Sequence, residues 1–273
     1  MTAAKRRRRQ EDAKRRQLLR ETQTQSKESN GENQKMPDPP PAPTTKQPEE
    51  KKPCEQVKKD TCSCEPGKVT SLAADPTKAE WQRRWMTTTP DDACLFTRGD
   101  PATPKEFYQL YWFNELCEAI GDDFAGPFLE MGAGRATTSM YLSQHTAAIT
   151  LVDQCQECFS IARSNFQAHG LPSPRMIVAD ARQTGEPSES QAAVYSIGLL
   201  EHMEDAGAAI AETYRLLKPG GTMFHVVVEI DGDGQRYKRG KDFYIKAATT
   251  AGFVDAQAVE ELRKGIFILT ARK

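Results

Sequence analysis

The residues Pro127–Asp153 read PFLEMGAGRATTSMYLSQHTAAITLVD, and this stretch decides the fold. An apolar pair leads into Glu130, and Gly132 and Gly134 follow with one residue between them. A helical stretch then leads to a second apolar run, which ends on Asp153. Glycines let the backbone turn sharply and approach a ligand closely, and an acid at a strand end can accept hydrogen bonds from ribose hydroxyls. The stretch therefore predicts a site for a nucleoside-containing ligand.

The glycine pattern differs from the dinucleotide-binding fingerprint GxGxxG, because Thr137 stands where the third glycine is required. Glu130 also precedes the first glycine by two residues, where a nicotinamide-binding strand usually stays apolar. A buried acid at that position suits a ligand that carries an ammonium group. The stretch resembles the first motif, ExGxGxG, of the class I S-adenosylmethionine-dependent methyltransferases. Glu130, Gly132 and Gly134 match it, and Ala136 replaces the last glycine.

Strand and helix patterns alternate through the rest of residues 76–273. The predicted strands after the first are 148–153, 175–180, 192–200, 222–228, 254–259 and 265–270, and the main predicted helices are 104–120, 156–169, 201–217 and 241–251. Alternation implies a parallel sheet with helices on both faces. Together with the resemblance, it predicts a three-layer, Rossmann-like, doubly wound α/β fold. The expected sheet has seven mostly parallel strands and an antiparallel last strand.

Three further segments extend the resemblance over about residues 105–273. Leu216–Gly221, LLKPGG, looks like the segment that precedes the fifth strand in small class I methyltransferases. Leu199–His202, LLEH, resembles their fourth motif, and Ala251–Phe253, AGF, matches their usual entry into the last pair of strands.

The resemblance implies that S-adenosyl-L-methionine is the cofactor. Gly132 and Gly134, with Ala133 between them, would form the turn around its methionine portion. Glu130 would orient the amino group, and Asp153 would accept both ribose hydroxyls.

The other cofactor residues implied by the resemblance follow the next strands. Gln154 would line the adenine, and Asp180 with the backbone amide of Ala181 would read its amino group and ring nitrogen. Ser196 and Gly198 would border the methyl end. Ligands of this fold bind at the carboxyl ends of the strands, where these residues are expected to meet.

The methyl donor is already activated, so a general base is needed only if the acceptor arrives protonated. His202 is the best candidate for that base, and Glu201 is the second. The alternative for His202 is a polar residue that packs at the rim of the pocket. No residue set in this region predicts a metal site.

Aromatic residues upstream of the central stretch are expected to pack mainly in the core. Trp81 and Trp85 stand four residues apart, on one helical face, and would pack on the core or form a lid. Tyr108, Tyr111 or Trp112 could also face the methionine moiety or the substrate.

Residues 1–75 are expected to be a disordered arm that is rich in polar residues and proline. The formal net charge of the chain is −1, yet residues 1–20 hold nine Lys or Arg and two acids. The runs Lys5–Arg9 and Lys14–Arg16 could bind nucleic acid, an anionic membrane or a nuclear import receptor, or could merely keep the arm soluble.

The sequence contains neither a signal-peptide core nor a run of 18 apolar residues, which predicts a cytoplasmic or nuclear protein that is not secreted. The seven cysteines are interpreted as reduced thiols. Cys54, Cys62 and Cys64 lack the second CxxC pair that a zinc site needs. Cys155 and Cys158 form a CxxC at a helix start, where a thiol pKa can fall, or are ordinary half-buried residues.

Three functions remain open at this point. The first is methyl transfer to a small-molecule acceptor. The second is methylation of protein or RNA, with the basic arm as a tether; the motif (D/N)PPY is absent, because Ser196–Leu199 stands in its place. The third is a cofactor-binding scaffold without catalysis.

Overall fold

A seven-stranded sheet forms the middle layer of the part of the chain that the computed structural model describes, which is residues 78–88, 94–121, 124, 126–230, 237–262 and 264–273. Its strands are β1 (Phe128–Met131), β2 (Ile149–Asp153), β3 (Arg175–Val178), β4 (Gln191–Ile197), β5 (Leu217–Val228), β6 (Val254–Glu260) and β7 (Ile266–Arg272). They lie in the order β3-β2-β1-β4-β5-β7-β6. The first five strands are parallel, and β7 runs antiparallel to both β5 and β6. The predicted fold class is confirmed.

Helices cover both faces of this sheet. Over the described residues they are α1 (Lys78–Thr87), α2 (Pro104–Ile120), α3 (Thr137–Leu142), α4 (Gln156–Ala168), α5 (Ala206–Leu216) and α6 (Lys241–Ala251). Helix α2 begins as predicted: the hydroxyl of Thr103 accepts from the amide of Glu106, and the Glu106 carboxylate accepts from the amide of Thr103. The long helix that contributes aromatic residues is thus fixed at its N-terminus.

Two hydrophobic clusters separate the layers. Phe128, Leu151 and Tyr195 belong to the cluster that packs against α1 to α4. Leu129 and Val194 belong to the cluster that packs against α5 and α6. Because successive strand residues point to opposite faces, both clusters draw on the same strands, which gives a three-layer arrangement.

The predicted helix 201–217 is wrong at both ends. Leu200–His202 forms a short 3-10 turn, and Met203 is extended. Helix α5 begins only at Ala206, because the Asp205 carboxylate accepts from the amide of Ala208 and caps it. The segment from Leu217 onward belongs to β5, so this strand starts five residues earlier than predicted. The candidate base therefore lies on a tight turn and not within a helix.

The predicted arm of residues 1–75, with its basic runs and with Cys54, Cys62 and Cys64, lies outside the described residues. None of the helices within the described ranges is long and apolar enough to cross a membrane.

Candidate functional site

A cavity of about 400 Å³ opens above the carboxyl ends of β1 to β5. Every predicted site residue except Ser196 lines it. The predicted lining residues are Glu130, Gly132, Ala133, Gly134, Asp153, Gln154, Asp180, Ala181, Gly198, Glu201 and His202. Its size falls within the range of roughly 300–1,000 Å³ that small-molecule and cofactor sites occupy.

The floor of the cavity is the glycine turn between β1 and α3. Gly132 has a φ of +63°, and a Cβ there would lie 2.7 Å from the side chain of Leu199. Gly134 has a φ of +50°, and a Cβ there would lie 2.9 Å from the ring of Trp85. Both positions thus require glycine for conformation and for space. The turn is narrow because neighbouring side chains pack directly on its backbone.

Asp153 braces the same turn from the end of β2. One carboxylate oxygen accepts from the amide of Gly134 at 3.0 Å, and the other accepts from the amide of Cys155 at 2.9 Å. Burial raises the pKa of Asp153, although these two amide hydrogen bonds oppose the rise. Each carboxylate oxygen keeps a further lone pair, so the group can still accept hydrogen bonds from a ligand in the cavity.

Asp180 follows β3 and is held by its neighbour Arg182. Its carboxylate accepts from the backbone amide of Arg182 at 2.8 Å and from the guanidinium at 3.0 and 2.6 Å. Burial works to raise the pKa of Asp180, but these hydrogen bonds outweigh it and the net pKa is lowered. Asp180 is thus an oriented, ionised acceptor at the edge of the cavity.

Glu130 belongs to a buried hydrogen-bonded group that we call the carboxylate cluster: Glu130, Ser139 and Tyr195. The hydroxyl of Ser139 donates to the carboxylate of Glu130 and lies 2.6 Å from the phenol oxygen of Tyr195. Only 3% of Glu130 is exposed, and burial raises its pKa to about 8. Of these three residues, the sequence motif indicates only Glu130, because a serine on a helix and a tyrosine on a strand are ordinary core residues.

Ser196 is a correction to the predicted site. It is fully buried and its hydroxyl lies 2.8 Å from Nδ1 of His225, whose Nε2 lies 3.3 Å from the hydroxyl of Thr213. We call Ser196, Thr213 and His225 the histidine cluster. Residues next to each other on β4 point to opposite faces, and Tyr195 takes the face toward α3. Ser196 therefore faces α5 and contributes nothing to the cavity.

His202 and Glu201 lie on the 3-10 turn after β4. Nε2 of His202 is 4.0 Å from a carboxylate oxygen of Glu201, and the Trp81 ring packs edge-on against the imidazole with 5.0 Å between centroids. The amide of Tyr237 donates to the carbonyl of Glu201 at 2.7 Å, and the Arg239 guanidinium donates to that of Met203. The turn is thereby held in place from the side of α6.

Helices α1 and α2 close the other side of the cavity. Trp81, Arg84 and Trp85 of α1 line it, as do Gln109 and Trp112 of α2. Trp85 belongs to the hydrophobic core and Trp81 packs against it, so the pair packs on the core, as one alternative predicted, and also borders the cavity. Of the three aromatic candidates on α2, Trp112 lines the cavity. Tyr108 does not, and Tyr111 is buried with its hydroxyl donating to Glu261.

Four polar residues that the sequence did not single out surround the glycine turn. Arg84 and Arg135 line the cavity, and burial together with the charge of Arg84 lowers the pKa of Arg135. The hydroxyls of Thr137 and Thr138 are buried and have no hydrogen-bond partner among the described residues. Buried hydroxyls without partners are costly. Next to two guanidinium groups, they fit the carboxylate of an amino acid, and Glu130 fits its ammonium group.

Cys155 and Cys158 behave as buried core residues. Burial raises the pKa of the Cys155 thiol to about 11, and it raises the pKa of Cys158 further. Both side chains are at least 98% buried, which favours ordinary core residues over a reactive CxxC.

Comparison with known proteins agrees with this geometry. Residues 129–225 match the family model described as a methyltransferase domain. The S-adenosyl-L-methionine-dependent Diels-Alderase iccD of Talaromyces variabilis is 32% identical over 104 residues, which cover 37% of this chain and 36% of that protein. The ubiquinone biosynthesis O-methyltransferase of Pseudomonas aeruginosa (strain LESB58) is 29% identical over 125 residues, 44% of this chain and 53% of that protein. The chain thus spans between about a third and about half of these relatives.

Solved structures share the fold. The [4+2]-cyclase SpnF superposes with a TM-score of 0.58 at 17% identity, covering 71% of this chain and 93% of that one. The phosphoethanolamine N-methyltransferase 2 of Haemonchus contortus, in complex with S-adenosyl-L-methionine, gives 0.54 at 16% identity, covering 66% and 46%.

Proposed function

Because this chain belongs to the class I S-adenosylmethionine-dependent methyltransferases, with S-adenosyl-L-methionine as its cofactor, we propose that it transfers a methyl group to a small-molecule acceptor. One observation carries the proposal. Glu130, Asp153 and Asp180 stand at the ends of three neighbouring parallel strands, and all three line one cavity.

The donor set fits the cofactor part by part. Asp153 is placed to accept the ribose hydroxyls while it holds the glycine turn closed. Asp180, ionised and fixed by Arg182, is placed to accept from the adenine amino group. Glu130 faces the ammonium group, and Arg84 and Arg135 face the carboxylate. These assignments pair Glu130 and the two arginines with the charged groups of the amino-acid portion, and use Asp153 and Asp180 as hydrogen-bond acceptors for the neutral ribose and adenine.

The acceptor end of the cavity lies between α1, α2 and the turn after β4. The bound sulfonium supplies an electrophilic methyl group for attack by an acceptor nucleophile. Trp81, Trp112 and Met203 exclude water on that side and orient an apolar acceptor. His202, half covered by Trp81, is placed to remove the proton of an acceptor hydroxyl or amine, with Glu201 next to it.

The enclosure supports a small acceptor over a macromolecule. Side chains from two helices cover the cavity, and these walls suit the enclosure of a small molecule better than that of a macromolecular segment. Methylation of protein or RNA would require a tether, and the basic runs of residues 1–20 remain the candidate for it. The scaffold alternative is disfavoured by the complete set of acids around the cavity.

A second candidate is a cyclisation reaction in the same site without methyl transfer. The similarity to the Diels-Alderase iccD favours it, since that protein by its name also depends on S-adenosyl-L-methionine. The apolar walls at the acceptor end would suit either reaction. A methyl group labelled in the cofactor separates the two, because only methyl transfer moves the label to a product.

Calorimetry with S-adenosylhomocysteine tests the cofactor assignment. We expect Asp153→Asn to weaken binding at least about tenfold, because a charged acceptor for two hydroxyls is lost. His202→Ala should change affinity by less than about twofold, since His202 is assigned to the acceptor end and to no cofactor contact, yet it should abolish label transfer.

The acceptor is then sought with labelled cofactor and separate small-molecule, protein and RNA fractions. A folded protein that binds no S-adenosylhomocysteine at millimolar concentration contradicts the proposed function. Labelling of the RNA or protein fraction alone contradicts the small-molecule acceptor.

A further inference from the structure

The carboxylate cluster contains more hydrogen-bonding groups than a cofactor contact needs. Glu130 on β1 and Tyr195 on β4 are direct neighbours in the parallel register, and Ser139 of α3 reaches down between them. All three residues are at least 97% buried. Of the three residues only Glu130 lines the cavity, so the cluster meets the cavity through this residue.

The direction of the hydrogens in this cluster follows from counting donors. A serine hydroxyl has one hydrogen, and that of Ser139 is directed at the carboxylate of Glu130. Over the 2.6 Å contact, the phenol of Tyr195 must then donate to Ser139. The chain Tyr195 to Ser139 to Glu130 thus delivers hydrogens toward an ionised carboxylate. When Glu130 is protonated, the Ser139 hydroxyl can turn and the chain can reverse.

We propose that Tyr195 and Ser139 are positioning residues that stabilise the ionised form of Glu130 when the cofactor's ammonium group enters, so that binding releases a proton from this cluster. The inference rests on the proposed cofactor site. Before binding, the carboxyl is 97% buried at the wall of the cavity, and burial raises its pKa to about 8, which favours the protonated form at pH 7. The entering ammonium group brings the positive charge that compensates the buried carboxylate. On the side away from the cavity, the chain of hydroxyls supplies hydrogen bonds to the carboxylate.

Few other titratable groups act on the cluster. Asp153 on β2 raises the pKa of Glu130 through its charge, and a backbone hydrogen bond from Ser139 lowers it. Burial raises the pKa of the Tyr195 phenol well above its usual value, with Glu130 and Cys117 of α2 adding to the rise. Tyr195 therefore stays neutral and acts only as a hydrogen-bond donor.

The test is the pH dependence of S-adenosylhomocysteine binding, measured by calorimetry from pH 6 to pH 10 in buffers of different ionisation enthalpy. We expect release of about nine-tenths of a proton at pH 7 and an affinity that rises roughly tenfold per pH unit below a midpoint near pH 8. 5′-Methylthioadenosine lacks the amino group, so its binding should be independent of pH. Glu130→Gln should remove both the proton release and the slope for S-adenosylhomocysteine.

Two variants test the positioning residues separately. Tyr195→Phe and Ser139→Ala should each move the midpoint upward, by about half to one pH unit. Ser139→Ala removes the hydroxyl that donates to the ionised carboxyl, and Tyr195→Phe removes the phenol that donates to that hydroxyl. Tyr244→Phe is the matched control: it removes an equally buried phenol, whose hydroxyl donates to Glu229 outside the cavity. It should leave the midpoint unchanged.

Unchanged midpoints in Tyr195→Phe and Ser139→Ala would overturn the inference, as would binding without proton release in the unaltered protein. Either variant suffices if the other does not fold. These outcomes differ from failure of the proposed function, in which S-adenosylhomocysteine does not bind at all.

Discussion

Two buried polar clusters lie on opposite faces of β4, the carboxylate cluster at Tyr195 and the histidine cluster at Ser196. In each cluster burial favours the neutral form of the central group: the pKa of Glu130 rises to about 8, and the pKa of His225 falls to about 3. The carboxylate cluster opens on the cavity, whereas the histidine cluster is sealed and both nitrogens of its imidazole have hydroxyl neighbours. A buried polar group therefore indicates a ligand only where it borders a cavity.

Replacing the central group of each cluster, His225 or Glu130, should separate the effect on cofactor binding from the effect on stability. We expect His225→Ala to lower the free energy of unfolding by about 3–4 kcal/mol, because it leaves a cavity and removes the imidazole partner of the Ser196 hydroxyl, whereas Thr213 still donates to the carbonyl of Ala209. S-adenosylhomocysteine affinity should stay within about twofold, since no contact to the cavity is lost. Denaturant titration and calorimetry on the same preparations measure both quantities.

Glu130→Gln in the same experiment should weaken cofactor binding without lowering stability. At pH 8 it should weaken S-adenosylhomocysteine about 10- to 100-fold, because a charge-assisted contact is lost. The free energy of unfolding should not fall, because a buried acid is replaced by a neutral group of the same shape. A binding loss in His225→Ala equal to that in Glu130→Gln would erase the distinction between the clusters.

The pH dependence of stability should show both groups in the protein without ligand. His225 has a lowered pKa, so its contribution is complete above about pH 6.5 and is lost as the pH falls toward 3. Glu130 has a raised pKa, so its contribution is complete below about pH 4.5 and is lost as the pH rises through 8. The two slopes cancel between these limits.

We therefore expect a plateau between pH 4.5 and 6.5 and a loss of about 2 kcal/mol from pH 6.5 to pH 8, at about 1.4 kcal/mol per unit. Glu130→Gln should make the alkaline limb shallower without changing the acid limb. Equal limbs in both proteins, measured by chemical denaturation at each pH, would show that Glu130 is not the titrating group.

The smallest effect concerns the two serines. Ser196→Ala removes one partner of a buried imidazole and should cost about 1–2 kcal/mol of unfolding free energy, with S-adenosylhomocysteine affinity and its pH midpoint unchanged. Ser139→Ala should cost a similar amount but should shift that midpoint. A change of cofactor affinity in Ser196→Ala would show that Ser196 contributes to the cofactor site after all.

The sequence predicted the sheet and most of the cavity because both depend on local patterns. Apolar runs that end on Asp153 and Asp180 mark buried parallel strands and place their acids at one edge. The capping box at Thr103 likewise marks the start of α2 without any tertiary information.

The misses arose where tertiary packing decides. Which face of β4 Tyr195 and Ser196 each occupy depends on how the strand packs between α3 and α5, and neither side chain lines the cavity. The position of α1 over Gly134 depends on the packing of Trp85, and the 3-10 turn that carries His202 depends on where Asp205 caps α5.

A crystal structure with S-adenosylhomocysteine bound tests the central claim most directly. We expect both ribose hydroxyls to lie within hydrogen-bond distance of Asp153. The ligand's amino group should contact Glu130 on the side opposite to Ser139. An adenosine moiety bound away from Asp153, or an amino group that points out of the cavity with Glu130 unengaged, would contradict it.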